Sequence, residues 1–206
     1  IGPKGYISSD IRVLSGFEQK CHKVRNGELI IFGQDLTYEL DVPVTAKYSG
    51  DMLSEIHEQS RISTDLPIFN LQFLENKGII YGCGSSYHAG LIGGLTLGAR
   101  VEYSSECHNL DCNNSLAISQ SGETRDTIKV AERLLKQRGF HTALVNNQYS
   151  ELVSILSDYS NTNFYNINCG PEFAVASTKT FFGFALQFLW QKYPRIDFHH
   201  EIEQLF

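Results

Sequence analysis

Hydroxyl and amide side chains are concentrated in residues 119–124, which read Ser-Gln-Ser-Gly-Glu-Thr. This segment follows an apolar stretch that predicts a buried strand and precedes an amphipathic pattern that predicts a helix. Capping that helix would need one such side chain, and the segment supplies several. No Gly-Lys-Ser/Thr sequence is present, so a nucleotide triphosphate loop is disfavoured. Because a phosphate offers several acceptor oxygens to side-chain and backbone donors, the surplus predicts a monophosphate site formed by Ser119, Gln120, Ser121 and Thr124.

Two further loops lie between a predicted strand and a predicted helix. Residues 82–86 read Gly-Cys-Gly-Ser-Ser, and residues 170–179 read Gly-Pro-Glu-Phe-Ala-Val-Ala-Ser-Thr-Lys. Ligands of open α/β sheets bind at the carboxyl ends of the strands, which favours a site here. For residues 82–86 a plain turn with a serine N-cap is an equally good interpretation, and for residues 170–179 it is the default one. We refer to residues 82–86, 119–124 and 170–179 as the first, second and third loops.

The other reactive side chains do not form a catalytic or metal-binding pattern. The seven histidines are dispersed, and no group of His, Cys, Asp and Glu has metal-ligand spacing, so we predict no metal, no other cofactor and no catalytic residue. Cys83 lies at a predicted helix N-terminus without an evident base beside it, so we expect Cys83 and His88 to be packing residues. Lys179 could pair with Glu123 or Glu172, or face solvent as most lysines do.

The elements that must position these loops alternate between strand and helix from residue 77 onward. Such alternation predicts a five-stranded parallel flavodoxin-like sheet within an α/β domain. Predicted strands lie at residues 78–82, 100–103, 115–118, 142–145 and 164–167. Predicted helices lie at residues 52–59, 86–97, 124–136, 150–156 and 178–193. The last helix is apolar on nearly all sides, so we expect it to be buried.

The chain is predicted to divide into four parts. Residues 1–48 read as short strands and turns and contain too few residues for a comfortable core of their own. Residues 49–76 form a linker with a helix, residues 77–195 the α/β domain, and residues 196–206 a tail.

Composition narrows the class of protein further. The 206 residues include 17 Lys and Arg against 23 Asp and Glu, a net charge of −6, which argues against nucleic acid as a partner. No apolar run reaches the ~20 residues that cross a bilayer, so no membrane partner is predicted. The five cysteines are scattered, without a CxxC pair, which favours a reducing, cytoplasmic location.

Three motifs in this order resemble those of the isomerising glutamine–fructose-6-phosphate aminotransferases and their sugar-isomerase (SIS) domain. They are Cys-Gly-Ser-Ser-Tyr-His-Ala-Gly at residues 83–90, Ile-Ser-Gln-Ser-Gly-Glu-Thr-Arg-Asp-Thr at residues 118–127, and Val-Ala-Ser-Thr-Lys at residues 175–179. The helix at residues 52–59 resembles the linker before the first SIS domain. Residues 6–10 and the Asn26-Gly27-Glu28 turn resemble the end of the family's glutaminase domain.

The resemblance implies a site for fructose-6-phosphate or glucosamine-6-phosphate. Ser86 would join Ser119, Gln120, Ser121 and Thr124 at the phosphate, while Ser85, Val175 and Ser177 would line the sugar. The N-terminal cysteine nucleophile and the second SIS domain of the family are absent here, so we expect this chain alone to be inactive as an aminotransferase.

Two alternatives remain open at this point. The chain could be a stand-alone SIS sensor of phosphosugars, or a single-domain sugar-phosphate isomerase that uses Glu123, His88 or Glu172 as its base. SIS domains pair within the family, and the apolar last helix could lack cover in a lone domain, so we predict a homo-oligomer.

Overall fold

The computed structural model describes residues 20–22, 40–41, 52–75, 77–172, 176–194 and 200. The chain divides into two compact units, Ile1–Tyr48 and Ser49–Phe206. In the first unit, strand β1 (Lys20–Cys21) pairs antiparallel with strand β2 (Leu40–Asp41). The assignment of this unit to the end of a glutaminase domain stays a prediction.

The second unit contains a five-stranded sheet in which every neighbouring pair is parallel. The strands are β3 (Ile79–Gly82), β4 (Arg100–Tyr103), β5 (Asn114–Ser119), β6 (Phe140–Val145) and β7 (Thr162–Asn166). Their order across the sheet is β4-β3-β5-β6-β7. The predicted five-stranded, flavodoxin-like α/β fold is therefore confirmed.

Six α-helices lie in the described part of the second unit, together with two 3-10 helices, Gln72–Leu74 and Ser104–Glu106. The α-helices are α1 (Met52–His57), α2 (Gln59–Asp65), α3 (Ser85–Leu97), α4 (Arg125–Leu134), α5 (Glu151–Ser157) and α6 (Lys179–Lys192). The single helix predicted at residues 52–59 is wrong in one respect, because a turn at Glu58 separates α1 from α2. None of the described helices is long and apolar enough to span a membrane.

The side chains of the three central strands, β3, β5 and β6, alternate between two apolar cores, one on each face of the sheet. Ile80 and Leu144 pack with α2, α3 and α6 on one face. Ile79 and Val145 pack with α4 and α5 on the other. Because helices cover the sheet on both sides, consecutive residues of these central strands are buried, whereas β4 and β7 at the edges are only partly buried.

Helix α6 is buried by its own chain, as its apolar sequence predicted. Phe184 and Phe188 are at most 1% exposed, and they lie in the core shared with α3. Gly93 of α3 makes this packing possible, because a Cβ there would lie 2.6 Å from the Phe188 ring and 2.7 Å from Ile80. The glycine therefore lets two helices approach closely, and α3 continues through it to Leu97.

His141 in β6 is a buried histidine, and its burial makes the stability of the domain depend on pH. His141 is 2% exposed, and its Nδ1 lies 2.9 Å from the Ser115 hydroxyl oxygen. Burial lowers the pKa of the His141 imidazole below the usual value of 6.5. Because the unfolded chain then binds this proton more readily, the stabilising contribution is complete above pH 6.5 and declines as the pH falls below it.

We expect His141→Gln to flatten the decline in unfolding free energy between about pH 7.5 and about pH 5.5, measured by urea denaturation. His108 is an exposed histidine, so His108→Gln should decline with pH as the wild type does. An equal decline in His141→Gln and wild type would contradict the assignment.

Candidate functional site

The first and second loops lie at the topological switch point of the sheet. The chain goes from β3 outward to β4, then crosses back to β5 on the other side of β3. Gly82 at the end of β3 is in register with Ile118 near the end of β5. Adjacent strands whose following helices depart in opposite directions leave a crevice between them, and ligands of open α/β sheets bind there.

Two serine oxygens of the second loop accept hydrogen bonds from its own main chain. The Gly122 N–H donates to Ser119 Oγ (3.0 Å), and the Glu123 N–H donates to Ser121 Oγ (3.1 Å). A hydroxyl that accepts from an amide still has its own proton to donate. The turn depends on Gly122, whose φ is +69° and where a Cβ would overlap the Ser150 hydroxyl.

The remaining polar side chains of this loop are not used for capping. Thr124 is the N-cap residue of α4, but its side chain makes no capping hydrogen bond; its hydroxyl is instead hydrogen-bonded to that of Ser119 at 3.3 Å, which leaves one proton of the pair to donate. Within the described residues, the Gln120 side-chain amide makes no hydrogen bond. The first-turn amides of α4 have no intrahelical acceptors, so they and these side chains remain able to bind an anion.

The first loop places two serines at the N-terminus of α3. Gly84 has φ +55°, and its N–H donates to the Tyr103 hydroxyl (3.3 Å). Ser85 is half-buried and Ser86 is buried, and neither hydroxyl has a hydrogen-bond partner among the described residues. The two hydroxyls are thus available at the same crevice as the second loop.

Thr127 connects the first loop to the start of α4. This threonine is fully buried, and its hydroxyl lies 3.1 Å from Ser104 Oγ and donates to Cys83 Sγ at 3.9 Å. Cys83 is a partly buried free thiol in that contact, as expected of a packing residue. His88 differs from expectation, because it is exposed and its ring contacts only that of its neighbour Tyr87.

The third loop is organised around the Glu172 carboxylate. Its Oε1 accepts hydrogen bonds from the amides of Thr178 and Lys179, both at 2.7 Å, and its Oε2 accepts one from Ser177 Oγ at 3.0 Å. The N-terminus of α6 is therefore neutralised by the protein's own carboxylate. Val175, the third residue expected to line the sugar, lies outside the described residues.

Lys179 has a partner that the sequence did not suggest. Its side chain is 0% exposed, and Nζ lies 2.7 Å from Glu58 Oε2 and 2.9 Å from the Pro171 carbonyl oxygen. A solvated lysine or a Glu123 partner was the wrong expectation, since Glu123 Oε1 instead accepts the Glu151 N–H at 2.9 Å. Glu172 contacts the Lys179 amide rather than its ammonium group.

Asn146 joins the second loop to the third, and sequence reasoning missed it. Its N–H donates to the Gln120 carbonyl (3.2 Å), and its side chain bonds both the Gly170 carbonyl (2.7 Å) and the Cys169 N–H (2.8 Å). Its position directly after β6, at the carboxyl end of a strand, was the available signal. The loop that Asn146 binds contains two residues with a left-handed backbone conformation, Asn168 at φ +56° and Gly170 at φ +77°.

A separate cavity of about 450 Å³ lies at the opposite edge of the sheet. Its lining includes Ile79 and Arg100, the first residues of β3 and β4, together with Lys77 and Asp111. It contains none of the predicted site residues. Across the part of the chain that the structure describes, no cluster of three or more His, Cys, Asp or Glu side chains could hold a metal ion.

No protein-family model matches the sequence, but curated relatives do. The isomerising glutamine–fructose-6-phosphate aminotransferase of Aquifex aeolicus is 35% identical over 217 residues, and that of Sulfolobus acidocaldarius is 30% identical over 218 residues. Each match covers 86% of this chain and 36% of the relative. The chain thus spans about a third of the length of these curated relatives.

Solved structures agree on the fold. The tagatose-6-phosphate ketose/aldose isomerase from Escherichia coli matches with a TM-score of 0.54 at 17% identity, over 68% of this chain and 46% of that one. Fold and loop arrangement together define an SIS-type α/β domain. More particularly, the chain carries an SIS domain of the kind found in the isomerising glutamine–fructose-6-phosphate aminotransferases.

We expect Asn146→Ala to destabilise the domain, because it leaves the Gly170 carbonyl and the buried Cys169 N–H without their partner. Each buried group left unpaired costs about 1–3 kcal/mol. Urea denaturation would measure the loss. Asn163→Ala is the matched control, since Asn163 is exposed and bonds only the adjacent Phe164 N–H. Equal midpoints for Asn146→Ala and Asn163→Ala would refute the bridging role.

Proposed function

We propose that the chain binds a hexose 6-phosphate, fructose-6-phosphate or glucosamine-6-phosphate, as part of a glutamine-dependent hexosamine-phosphate synthase. Ser119, Gln120, Ser121 and Thr124 hold the phosphate with Ser86 beside them, and Ser85, Val175 and Ser177 line the sugar. One observation carries the proposal: main-chain amides hold the Ser119 and Ser121 oxygens as acceptors at the switch point of the sheet, so that Ser121 and one hydroxyl of the hydrogen-bonded Ser119–Thr124 pair have a proton to donate.

Electrostatics favours the second loop as the place for the phosphate. The N-terminus of α4 supplies a partial positive charge and unpaired amides, since the Thr124 side chain makes no capping hydrogen bond. The carboxylate in its first turn, Asp126, pairs with Lys129 at 3.6 Å. The N-terminus of α6 already holds the Glu172 carboxylate, which would repel a second anion. A phosphate dianion is therefore better placed at α4 than at α6.

The third loop suits the uncharged end of the ligand. Ser177 donates its only hydroxyl proton to Glu172, so its oxygen can still accept a hydrogen bond but cannot give one. A sugar hydroxyl can donate to such an oxygen, whereas an ionised phosphate cannot. The polarity of the two loops thus matches the two ends of a sugar phosphate.

The relatives support the wider context. The matching relatives are named as aminotransferases that act on glutamine and fructose-6-phosphate. In that context residues 1–48 are the end of a glutaminase domain, residues 49–76 the linker, residues 77–195 the SIS domain and residues 196–206 a tail. A single-domain isomerase is less favoured, because the Glu123 and Glu172 carboxylates both accept structural hydrogen bonds.

A cytoplasmic location and a homo-oligomer belong to the same proposal. The sequence suggested that the last helix could be left uncovered in a lone domain and would then favour association. That reason is wrong, because α6 is buried within its own domain. The support lies on α3 instead, where Leu91 and Leu95 are exposed one turn apart, Leu95 by 81%.

We expect Ser121→Ala combined with Thr124→Ala to weaken binding of fructose-6-phosphate by at least about a hundredfold. Each hydrogen bond to a charged group is worth about 1.5–3 kcal/mol, and about 1.4 kcal/mol is tenfold in affinity. Isothermal titration calorimetry would measure the change.

The matched control for this double variant is Thr96→Ala combined with Ser157→Ala. Both hydroxyls donate to carbonyls of their own helices, α3 and α5. The control should bind as the wild type does. Unchanged affinity in Ser121→Ala/Thr124→Ala would refute the phosphate assignment.

A further inference from the structure

Lys179, the last residue of the third loop, is a fully buried cation. Its ammonium group donates to Glu58 Oε2 at 2.7 Å and to the Pro171 carbonyl oxygen at 2.9 Å. Glu58 lies at the turn between α1 and α2, 121 residues away in sequence, with 25% of its side chain exposed. Replacing a buried ion pair with apolar side chains is often neutral or stabilising, so stability alone does not explain this pair.

The pair acts on the backbone that carries Glu172. Pro171, whose carbonyl binds the ammonium group, immediately precedes Glu172 in the chain. Glu172 in turn accepts the Ser177 hydroxyl and the amides of Thr178 and Lys179. A continuous series of short polar contacts therefore runs from Glu58 through Lys179 and Pro171 to Ser177.

We infer that Lys179, held by Glu58, is a positioning residue for the sugar end of the ligand. It fixes the backbone at Pro171, so that Glu172 takes the Ser177 proton and Ser177 presents an accepting oxygen. The α1–α2 turn, which carries Glu58, thereby contributes to the specificity for the sugar. This inference rests on the proposed function, and it concerns sugar recognition alone, because the phosphate is assigned to the second loop, which is attached to Asn146, Glu151 and Leu152.

The test compares two probes on the full chain by calorimetry: fructose-6-phosphate and inorganic phosphate. Lys179→Met removes the ammonium group, and Glu58→Gln removes its counter-charge. We expect each variant to bind fructose-6-phosphate at least tenfold more weakly than the wild type while binding inorganic phosphate within twofold of it. Glu58→Asp keeps the carboxylate and should bind fructose-6-phosphate more tightly than Glu58→Gln. Lys192→Met, at the exposed end of α6, should bind both probes as the wild type does.

A mutant cycle with Ser177→Ala tests the route. If Lys179 acts through Ser177, adding Lys179→Met to Ser177→Ala should cost less than threefold in fructose-6-phosphate affinity. A further tenfold loss would overturn this route. Should Lys179→Met fail to fold, Glu58→Gln decides the matter, and amide hydrogen exchange should then be faster at residues 177–180 than in the wild type and unchanged at residues 119–124.

The possible outcomes distinguish a failure of this inference from a failure of the proposed function on which it rests. Wild-type chain that binds neither probe would overturn both. Wild-type binding of fructose-6-phosphate that persists in Glu58→Gln and Lys179→Met would overturn the positioning role and leave the proposed function intact. A proportional loss of both probes would also overturn it, since the pair would then support the fold as a whole.

Discussion

The site depends on the direction in which its hydroxyl groups donate. In the second loop, main-chain amides donate to Ser119 Oγ and Ser121 Oγ, so both oxygens are engaged as acceptors. The Ser121 proton and one proton of the hydrogen-bonded Ser119–Thr124 pair are left to donate. In the third loop the relation is reversed, because Ser177 gives its proton to Glu172 and retains only lone pairs. A serine hydroxyl can donate or accept a hydrogen bond, and the neighbouring groups determine which of the two it does. A ligand with an anionic end and a hydroxylated end is the kind of molecule that such an arrangement distinguishes.

Three helices begin near the proposed site, but their N-termini are not equivalent. Those of α3 and α4 lack a side-chain cap, and they lie on either side of the switch point between β3 and β5. The N-terminus of α6 is capped by the Glu172 carboxylate, which cancels its attraction for an anion. The same secondary-structure feature is therefore left uncapped by side chains in two places and is used internally in the third. Counting strand–helix turns along the sequence could not separate these cases, since the cap is five or more residues away from the groups it binds.

Much of the fold could be predicted because strand and helix patterns are local. Strand boundaries differ from prediction by two residues or fewer, and the central strands are short, mostly apolar segments. The misses are long-range. Glu58 pairs with Lys179 across 121 residues, and Asn146 bonds Cys169 and Gly170 across 23 and 24 residues. Neither contact produces a periodic pattern in the sequence from which it could be predicted. The break at Glu58 was also missed, because residues 52–59 are continuous in helical pattern and only tertiary contacts show where the helix turns.

A cradle built of neutral donors must be rigid if it is to bind phosphate well. The second loop contains no lysine or arginine, so the phosphate affinity proposed for it depends on donors that are already oriented before the ligand arrives. Two hydrogen bonds restrain the second loop: the Gly122 carbonyl accepts the Leu152 N–H (3.0 Å), and the Glu123 carboxylate accepts the Glu151 N–H (2.9 Å). Both bonds attach the loop to the start of α5, while the Asn146 N–H attaches it to the end of β6. Because neutral donors gain less from simple charge attraction than cations do, a loop of this kind discriminates by geometry, which favours one phosphomonoester over the many anions that a lysine would also attract.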